Sequence, residues 1–467
     1  MLYAIEAMKP RLVCALLLSA AFAGVSLAAA GQESDSGLAE RTARHSPAWL
    51  TSGVIYEINP RSFSLEGNLK GITGQLDRLH SLGVNVLWLM PIQPTGLVKK
   101  KGSLGSPYSI RDYYAIDPQY GTKDDLKSLV SEAHRRQMKV ILDVVANHTA
   151  WDSVLMAHPD FYKRDREGHI LSPHDWNDVA ALDYSNPKLR RYMTDMLVYW
   201  IREFDLDGYR CDVAFEVPTD FWEQARKELE AVKPDIMMLA EASKPELLRS
   251  AFDIDYSWPL LSALNAVVMR GESAGLLRST IEEQKAMFPK GALHMRMSDD
   301  HDEERAIARY GSPGALAASA LMFTLDGVPM LYNGMEAGDS TESGDPALFE
   351  PLKVLWQMSQ RRPQFPSFYA GIIPLRKRNP ALRTGTLLWV HNSDEQHVIT
   401  YIRQSPEEEL LIAINLSNTP FRGTVESPSA HWEEIALPGL NSKTAALPAL
   451  ALDAFQFRVF VAAAAKQ

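Results

Sequence analysis

Short apolar runs bounded by turn residues alternate with longer amphipathic stretches from about residue 50 onward. Apolar runs of this length are typical of buried strands, whereas apolar positions three and four residues apart are typical of helices. The helical spacing recurs in residues 123–137, 186–204 and 221–232. Eight runs fit the strand pattern, namely 54–58, 84–90, 139–145, 208–213, 237–241, 252–256, 292–298 and 328–333.

Strands that alternate with helices form a parallel sheet, because each helix returns the chain to the start of the next strand. Eight strand–helix units favour a closed (β/α)8 TIM barrel over an open doubly wound sheet. We therefore predict an α/β fold whose catalytic barrel occupies residues 49–383. The long connection at residues 149–185 is predicted to be an excursion over the barrel mouth, because it is too short to hold a core of its own.

The two ends of the chain follow different patterns. Beyond residue 383 apolar residues alternate without helical stretches, which predicts a C-terminal all-β domain, a β-sandwich, over residues 384–467. Residues 1–30 contain an apolar run after Lys9 and Arg11, which indicates a signal peptide too short to span a membrane, since spanning takes ~20 residues. Residues 31–48 are interpreted as a flexible leader. We therefore expect a secreted or periplasmic protein.

Composition narrows the classes of partner. The 467 residues are 46% hydrophobic and 23% charged, as in chains that bury a large core. With 48 basic and 58 acidic residues the net charge is −10, which offers no attraction to phosphate backbones or anionic lipid. We expect no nucleic acid partner and, after signal cleavage, no membrane. Once Cys14 is removed Cys211 stands alone, so no internal disulfide is expected.

Carboxylates stand at the ends of several predicted strands. In a (β/α)8 barrel the catalytic groups come from the carboxyl ends of the strands, where Asp143, Asp212, Glu241 and Asp302 are found. Cleavage of a glycosidic bond requires one ionised and one protonated carboxyl group. Arg210 lies two residues before Asp212 and on the same side of the strand, so its charge would keep Asp212 ionised. Glu241 follows an apolar run, a setting that suits the acid.

The motifs DVVANH (143–148), GYRCD (208–212), LAEA (239–242) and DDHD (299–302) resemble the four signature regions of the α-amylase family in order and spacing. This family consists of retaining α-glucan hydrolases and transglycosylases, and the resemblance extends from residue 50 to about residue 460. The resemblance implies that Asp212 is the nucleophile, Glu241 the acid/base and Asp302 the third carboxylate, which holds the sugar distorted. It implies substrate-binding roles for Arg210, His148, His301, Tyr108 and Asp143.

Some positions depart from the family pattern. Many α-amylases bind calcium partly through residues at three positions that here are Asn147, Ala181 and Glu216. Calcium prefers six to eight oxygen ligands, so the loss of an acidic ligand argues against this site without excluding it. We expect no other metal and no required cofactor. Asp300 stands where the family usually has Asn, and DVAFE (212–216) is more similar to the neopullulanase and cyclomaltodextrinase branch, which handles α-1,4 and α-1,6 bonds.

The function expected from these features is that of a secreted retaining hydrolase of α-1,4-glucosidic bonds. Its substrates would be starch-derived chains or maltooligosaccharides, cleaved through a covalent Asp212 intermediate. Three alternatives stay open: a transglycosylase, an α-1,6-acting relative and a non-catalytic carbohydrate-binding protein. The second is considered because Val213 follows the nucleophile, at a position that varies with linkage in the family that the chain resembles. The presence of all three carboxylates disfavours the last. Trp176, in the excursion, is the aromatic residue most expected to stack on a sugar.

Overall fold

Eight parallel strands close into a barrel in the computed structural model, which describes residues 37–427, 431–438 and 447–462. Each strand pairs with the next in chain order, and Ile55 on the first lies opposite Met330 on the last. The strands are β1 (Ile55–Ile58), β2 (Val86–Leu89), β3 (Lys139–Val145), β4 (Gly208–Asp212), β5 (Met237–Ala240), β6 (Ile254–Tyr256), β7 (Leu293–Arg296) and β8 (Val328–Tyr332). The predicted barrel is confirmed, and each predicted run contains one strand. The predicted signal peptide lies outside the described residues.

Two of the long helices between the strands begin at side-chain caps. Thr122 and Asp125 form a capping box at the start of Lys123–Arg135, and the Asn186 side chain accepts the N–H of Lys188 at the start of Pro187–Phe204. No helix within the described ranges is long and apolar enough to cross a membrane. The helices are Ala48–Thr51, Pro60–Phe63, Leu69–Thr73, Leu76–Leu82, Lys123–Arg135, Pro187–Phe204, Thr219–Val232, Leu247–Ser250, Trp258–Arg270, Gly275–Met287, Ala306–Thr324, Met358–Arg361, Gln364–Arg378 and Pro380–Thr384.

The excursion after β3 is built on a short antiparallel ribbon. Its strands, His148–Ala150 and Val179–Ala181, pair with His148 opposite Ala181. The Tyr113 hydroxyl donates to the carbonyl oxygens of Val145 and His148, both at 2.8 Å. Because the ribbon starts where β3 ends, the excursion lies at the carboxyl end of the barrel.

A glycine sets the approach of the two strands that carry the central carboxylates. A Cβ on Gly208 would lie 2.0 Å from the carbonyl oxygen of Met237, so a side chain there would clash with the backbone of β5. Further along the same pair, Cys211 lies opposite Ala240. Asp212 and Glu241, each one residue later, therefore stand at neighbouring strand ends.

The C-terminal part is all β, as predicted, and packs on the barrel within one compact unit. Its strands are β9 (Thr386–Trp389), β10 (Val398–Gln404), β11 (Glu409–Asn415), β12 (Phe421–Thr424), β13 (Trp432–Glu434), β14 (Ala449–Leu452) and β15 (Phe457–Ala462). A five-stranded antiparallel sheet has the order β9-β10-β11-β15-β13, and β12 pairs with β14. Arg403, buried on β10, donates to the carbonyl oxygen of Thr324 at 3.0 Å and so joins the sheet to a barrel helix.

Candidate active site

A buried guanidinium lies at the centre of the strand ends. Arg210 on β4 is 0% exposed and lies opposite Asp143 on β3. Its Nη1 lies 3.0 Å from Asp143 Oδ1 and 2.9 Å from Asp212 Oδ1. Its Nη2 lies 2.7 Å from Glu241 Oε2. One cation thus holds carboxylates from three adjacent strands.

The ionisation of Asp212 depends on competing neighbours. Burial raises the pKa of Asp212 well above its ordinary value, Arg210 opposes this, and the charges of Glu241 and Asp143 add to the rise. The sequence predicted that Arg210 keeps Asp212 ionised, but the same guanidinium serves three carboxylates, and burial outweighs its effect on the pKa of Asp212. Asp212 Oδ1 accepts a hydrogen bond from Arg210, whereas Oδ2 has no such partner within the described residues and lies 3.9 Å from His148 Nε2.

Glu241 is oriented by a strained turn after β4. The backbone N–H of Val213 donates to Glu241 Oε2 at 2.8 Å. Val213 has a left-handed backbone, with φ of 45°, which is uncommon for a β-branched residue. Since Oε2 faces both Val213 and Arg210, Oε1 is the oxygen left to contact a ligand.

A second ionic cluster surrounds His301. Its Nε2 lies 2.7 Å from the Tyr108 hydroxyl and 3.2 Å from Asp302 Oδ2, and its Nδ1 bonds to Glu57. Burial lowers the pKa of His301, but the charges of Asp302 and Glu57 outweigh burial and raise this pKa well above its ordinary value. Burial raises the pKa of Asp302, but His301 outweighs it and lowers this pKa. His301 is therefore an imidazolium and Asp302 a carboxylate at neutral pH.

Glu57 is a member of this cluster that sequence reasoning missed. It lies on β1 within the apolar run VIYEI and is 0% exposed. Burial raises the pKa of Glu57, and His301 opposes the rise. A charged residue inside an apolar strand is the signal that could have found it, since a buried carboxylate requires a partner.

Two further residues shape the site without carrying the chemistry. Burial lowers the pKa of His148 to about 3, so this imidazole is neutral. Asp300 Oδ1 accepts the backbone N–H groups of Asp302 at 3.1 Å and Glu303 at 3.0 Å, which orients the turn that carries Asp302. Burial, together with the charge of Asp302, raises the pKa of Asp300 well above its ordinary value.

These groups border a cavity of about 240 Å³ at the carboxyl end of the barrel. Arg210 and Asp143 are not part of the lining but contact it, Arg210 at Asp212 and Asp143 at the Tyr108 hydroxyl, whereas Trp176 and Val213 belong to the lining. The loop after β8 adds Asp345, Leu348 and Phe349, for which the sequence carried no signal. Of the eight residues to which the family resemblance assigned catalytic or substrate-binding roles, the structure brings six to the cavity wall: Tyr108, His148, Asp212, Glu241, His301 and Asp302.

The residues at the implied calcium position do not fit a calcium ion. Glu216 pairs through Oε1 with His174 Nε2, and its Oε2 accepts a 3.0 Å hydrogen bond from the Asn147 amide. Ala181 offers no side-chain oxygen. Calcium requires six to eight oxygen ligands, and here the available carboxylate already binds protein donors. Elsewhere in the described part of the chain, three exposed residues come within ligand distance of one another: Asp165, Glu167 and His169.

Comparison with known proteins identifies the family of this scaffold. The family model for the α-amylase catalytic domain matches residues 33–178 and 162–396, which is more than half of the chain. The chain belongs to the α-amylase family. It is 28% identical over 407 residues to alpha-amylase MalA of Haloarcula japonica, an alignment that covers 83% of this chain and 58% of that protein. It is 29% identical over 421 residues to the intracellular maltogenic amylase of Bacillus subtilis, covering 80% and 70% respectively.

A solved member of the α-amylase family has the same architecture. The crystal structure of the noncanonic maltogenic alpha-amylase AmyB from Thermotoga neapolitana matches with a TM-score of 0.78 and 31% identity. The match covers 88% of this chain and 96% of that chain. The comparisons therefore establish the fold of this protein and its membership of a family of glycosidases.

The comparisons correct one prediction. The chain was expected to be secreted or periplasmic, but its Bacillus subtilis relative is named an intracellular maltogenic amylase, so that prediction is wrong. The comparisons do not support the signal peptide on which it rested. A basic start followed by an apolar run is only a compositional pattern, and such a run does not by itself specify export.

Proposed function

We propose that this α-amylase family member is a retaining hydrolase of α-1,4-glucosidic bonds in maltooligosaccharides or starch-derived chains. The observation that carries the proposal is the bridge from Arg210 to both Asp212, at 2.9 Å, and Glu241, at 2.7 Å. Retaining glycosidases hold their two carboxyl groups ~5 Å apart, and inverting ones hold them ~6.5–9.5 Å apart. Two carboxylates on the two ends of one guanidinium fit the shorter separation.

In the first step Asp212 Oδ2 attacks the anomeric carbon of the bound glucose. The new C–O bond forms as the glycosidic C–O bond breaks, and the electron pair leaves on the glycosidic oxygen, which takes a proton from Glu241. The contact of Arg210 with Oδ1 holds the carboxylate in place while Oδ2 stays free to attack. The step needs Asp212 ionised and Glu241 protonated. Burial raises the pKa of Asp212, and the charge of Arg210 beside Oδ1 opposes that rise.

In the second step a water molecule hydrolyses the glycosyl ester. Glu241, now ionised, takes a proton from the water, whose oxygen adds to the anomeric carbon as the bond to Asp212 breaks. Two displacements on opposite faces restore the α configuration. The carboxylate of Asp302 and the imidazolium of His301 are placed to bind sugar hydroxyl groups, and Tyr108 and Trp176 offer ring faces along the cavity wall.

The names of two relatives support maltooligosaccharides as the substrate class. The Bacillus subtilis relative and the solved Thermotoga neapolitana protein are both named maltogenic amylases. Since this chain spans 58% of the Haloarcula japonica relative and 70% of the Bacillus subtilis one, the substrate is proposed from the site rather than transferred from either protein.

The test is a proton NMR time course on maltoheptaose. We expect the first products to be α-anomers, and we expect Asp212→Asn and Glu241→Gln to lower turnover by roughly 10³-fold or more while maltoheptaose still binds. Asp220→Asn is the control, because Asp220 is exposed and pairs with Arg190 on the surface. Initial β-anomers, or wild-type turnover in Asp212→Asn, would refute the proposal. Longer chains or new α-1,6 signals would indicate a transglycosylase, and inertness a binding protein.

A further inference from the structure

Three polar side chains join the excursion to the barrel next to the cavity. Glu216 lies in the short turn Ala214–Glu216 after β4 and pairs through Oε1 with Nε2 of His174 in the excursion. Its Oε2 accepts the amide of Asn147, which follows β3. We call His174, Glu216 and Asn147 the excursion clamp. The clamp ties two neighbouring strand ends to the loop that borders the cavity.

The members of the excursion clamp differ in exposure, and the more buried members have the greater need of a hydrogen-bond partner. Asn147 is buried, the Glu216 side chain is 19% exposed and the His174 side chain is 55% exposed. A buried amide and a mostly buried carboxylate have lost their water and need partners. The backbone of His174 is left-handed, with φ of 50°, a conformation that persists where surrounding contacts compensate for it. The contact with Glu216 supplies that compensation.

The excursion clamp ends beside Trp176. The rings of His174 and Trp176 have centroids 5.0 Å apart at an angle of 61°. On its other side Trp176 meets His148 at 5.6 Å and 69°, and His148 in turn faces Asp212. Trp176 lines the cavity. Its position therefore depends on two histidine rings, one of which the clamp anchors.

We propose that the excursion clamp positions Trp176 as a wall of the glucan-binding cavity, and that it does so in place of a calcium ion. It occupies the junction at which the family resemblance implied calcium, and both oxygens of Glu216 are engaged by protein donors. A cation there would have to displace those donors. His174 and Glu216 are positioning residues, since they contact Trp176 or each other rather than the sugar. The identity of the ligand rests on the proposed function, whereas the clamp itself does not.

The test measures maltoheptaose binding by calorimetry in an Asp212→Asn background, so that it does not depend on turnover. We expect His174→Ala and Glu216→Ala each to weaken binding about fivefold, as Trp176→Ala should. In the otherwise wild-type chain KM should rise by about the same factor while kcat changes less than about twofold, because the loss is one of ground-state binding. The double variant should be no weaker than the more affected single variant, because either change breaks the same link.

The matched control is His169→Ala, which removes another histidine–carboxylate pair of the excursion. His169 pairs with Asp165 at 3.1 Å, and its side chain is 77% exposed. This variant should bind maltoheptaose like the parent chain. Glu216→Ala leaves the buried amide of Asn147 without a partner and could unfold the protein, but His174 is half exposed, so His174→Ala keeps the test available.

Metal dependence is tested on the same protein with excess EDTA and with added calcium chloride. We expect neither to change the thermal unfolding midpoint or the affinity for maltoheptaose. Weakening by EDTA that calcium reverses would overturn the proposal, as would unchanged binding in His174→Ala or additive losses in the double variant. Maltoheptaose that binds but is not hydrolysed would refute the proposed function while the comparison of affinities still tests the clamp. Absence of any maltoheptaose binding would refute the proposed function and the assignment of Trp176 to a glucan-binding wall, while the unfolding midpoint with and without EDTA would still test whether the clamp replaces calcium.

Discussion

Replacement of Arg210 by lysine tests whether the site needs a guanidinium or only a positive charge. Arg210 contacts Asp143 and Asp212 through Nη1, Glu241 through Nη2 and the Tyr256 hydroxyl through Nε at 3.1 Å. A lysine ammonium is a single nitrogen on a flexible stem and cannot span these positions at once. A lysine nitrogen at the position of Nη1 could keep Asp143 and Asp212, so Arg210→Lys should remove at least two contacts, the one with Glu241 and the one with the Tyr256 hydroxyl.

The expected size of the effect follows from the two charged contacts that lysine cannot make. A hydrogen bond to a charged group contributes about 1.5–3 kcal/mol, so the absence of two costs about 3–6 kcal/mol. If the transition state loses about 3 kcal/mol of stabilisation, the lower figure, kcat/KM drops about 150-fold. We therefore expect a decrease of about 100-fold or more in kcat/KM on maltoheptaose.

Arg226 offers a matched control for burial. It is 1% exposed, its Nη1 lies 2.6 Å from Asp253 Oδ2, and it does not line the cavity. Arg226→Lys should lower the free energy of unfolding in urea by an amount similar to Arg210→Lys and leave kcat/KM unchanged. The reasoning fails if Arg210→Lys retains activity within about threefold of wild type, or if both variants lose activity equally.

Two further predictions concern ionisation. Glu57→Gln removes an anion that raises the pKa of His301, so the pKa of His301 should fall. The decline of kcat/KM on the alkaline side should then move to lower pH. A pH profile that matches wild type would contradict this prediction. Despite burial, His134 and Lys233 lower the pKa of Asp207 to about 2 from 3.8, so Asp207 stabilises the fold above its unfolded pKa and loses that contribution as pH falls. Asp207→Asn should therefore lower the free energy of unfolding by about 2 kcal/mol at neutral pH. This difference from wild type should disappear as pH falls from about 4 to about 2. A difference that persists in stronger acid would count against the prediction.

The apolar pattern of the chain is sufficient to predict the barrel. Parallel strands are covered on both faces, so their runs are continuously apolar and can be recognised without coordinates. Their carboxyl ends meet at one face, which is why Asp143, Asp212 and Glu241 could be predicted to converge. The two-residue period also placed Arg210 on the same side as Asp212, where it is found 2.9 Å away.

The partners of the ionisable groups were decided by the tertiary structure. Glu57 meets His301 across 244 residues of chain, and Glu216 meets His174 across 42. Nothing in the local pattern of either pair indicates the other member, nor that Arg210 serves three carboxylates at once. Periodicity records which face of an element is apolar, whereas ionisation and ligand binding depend on burial and on separations of a few ångströms. Those separations exist only once distant segments have packed together.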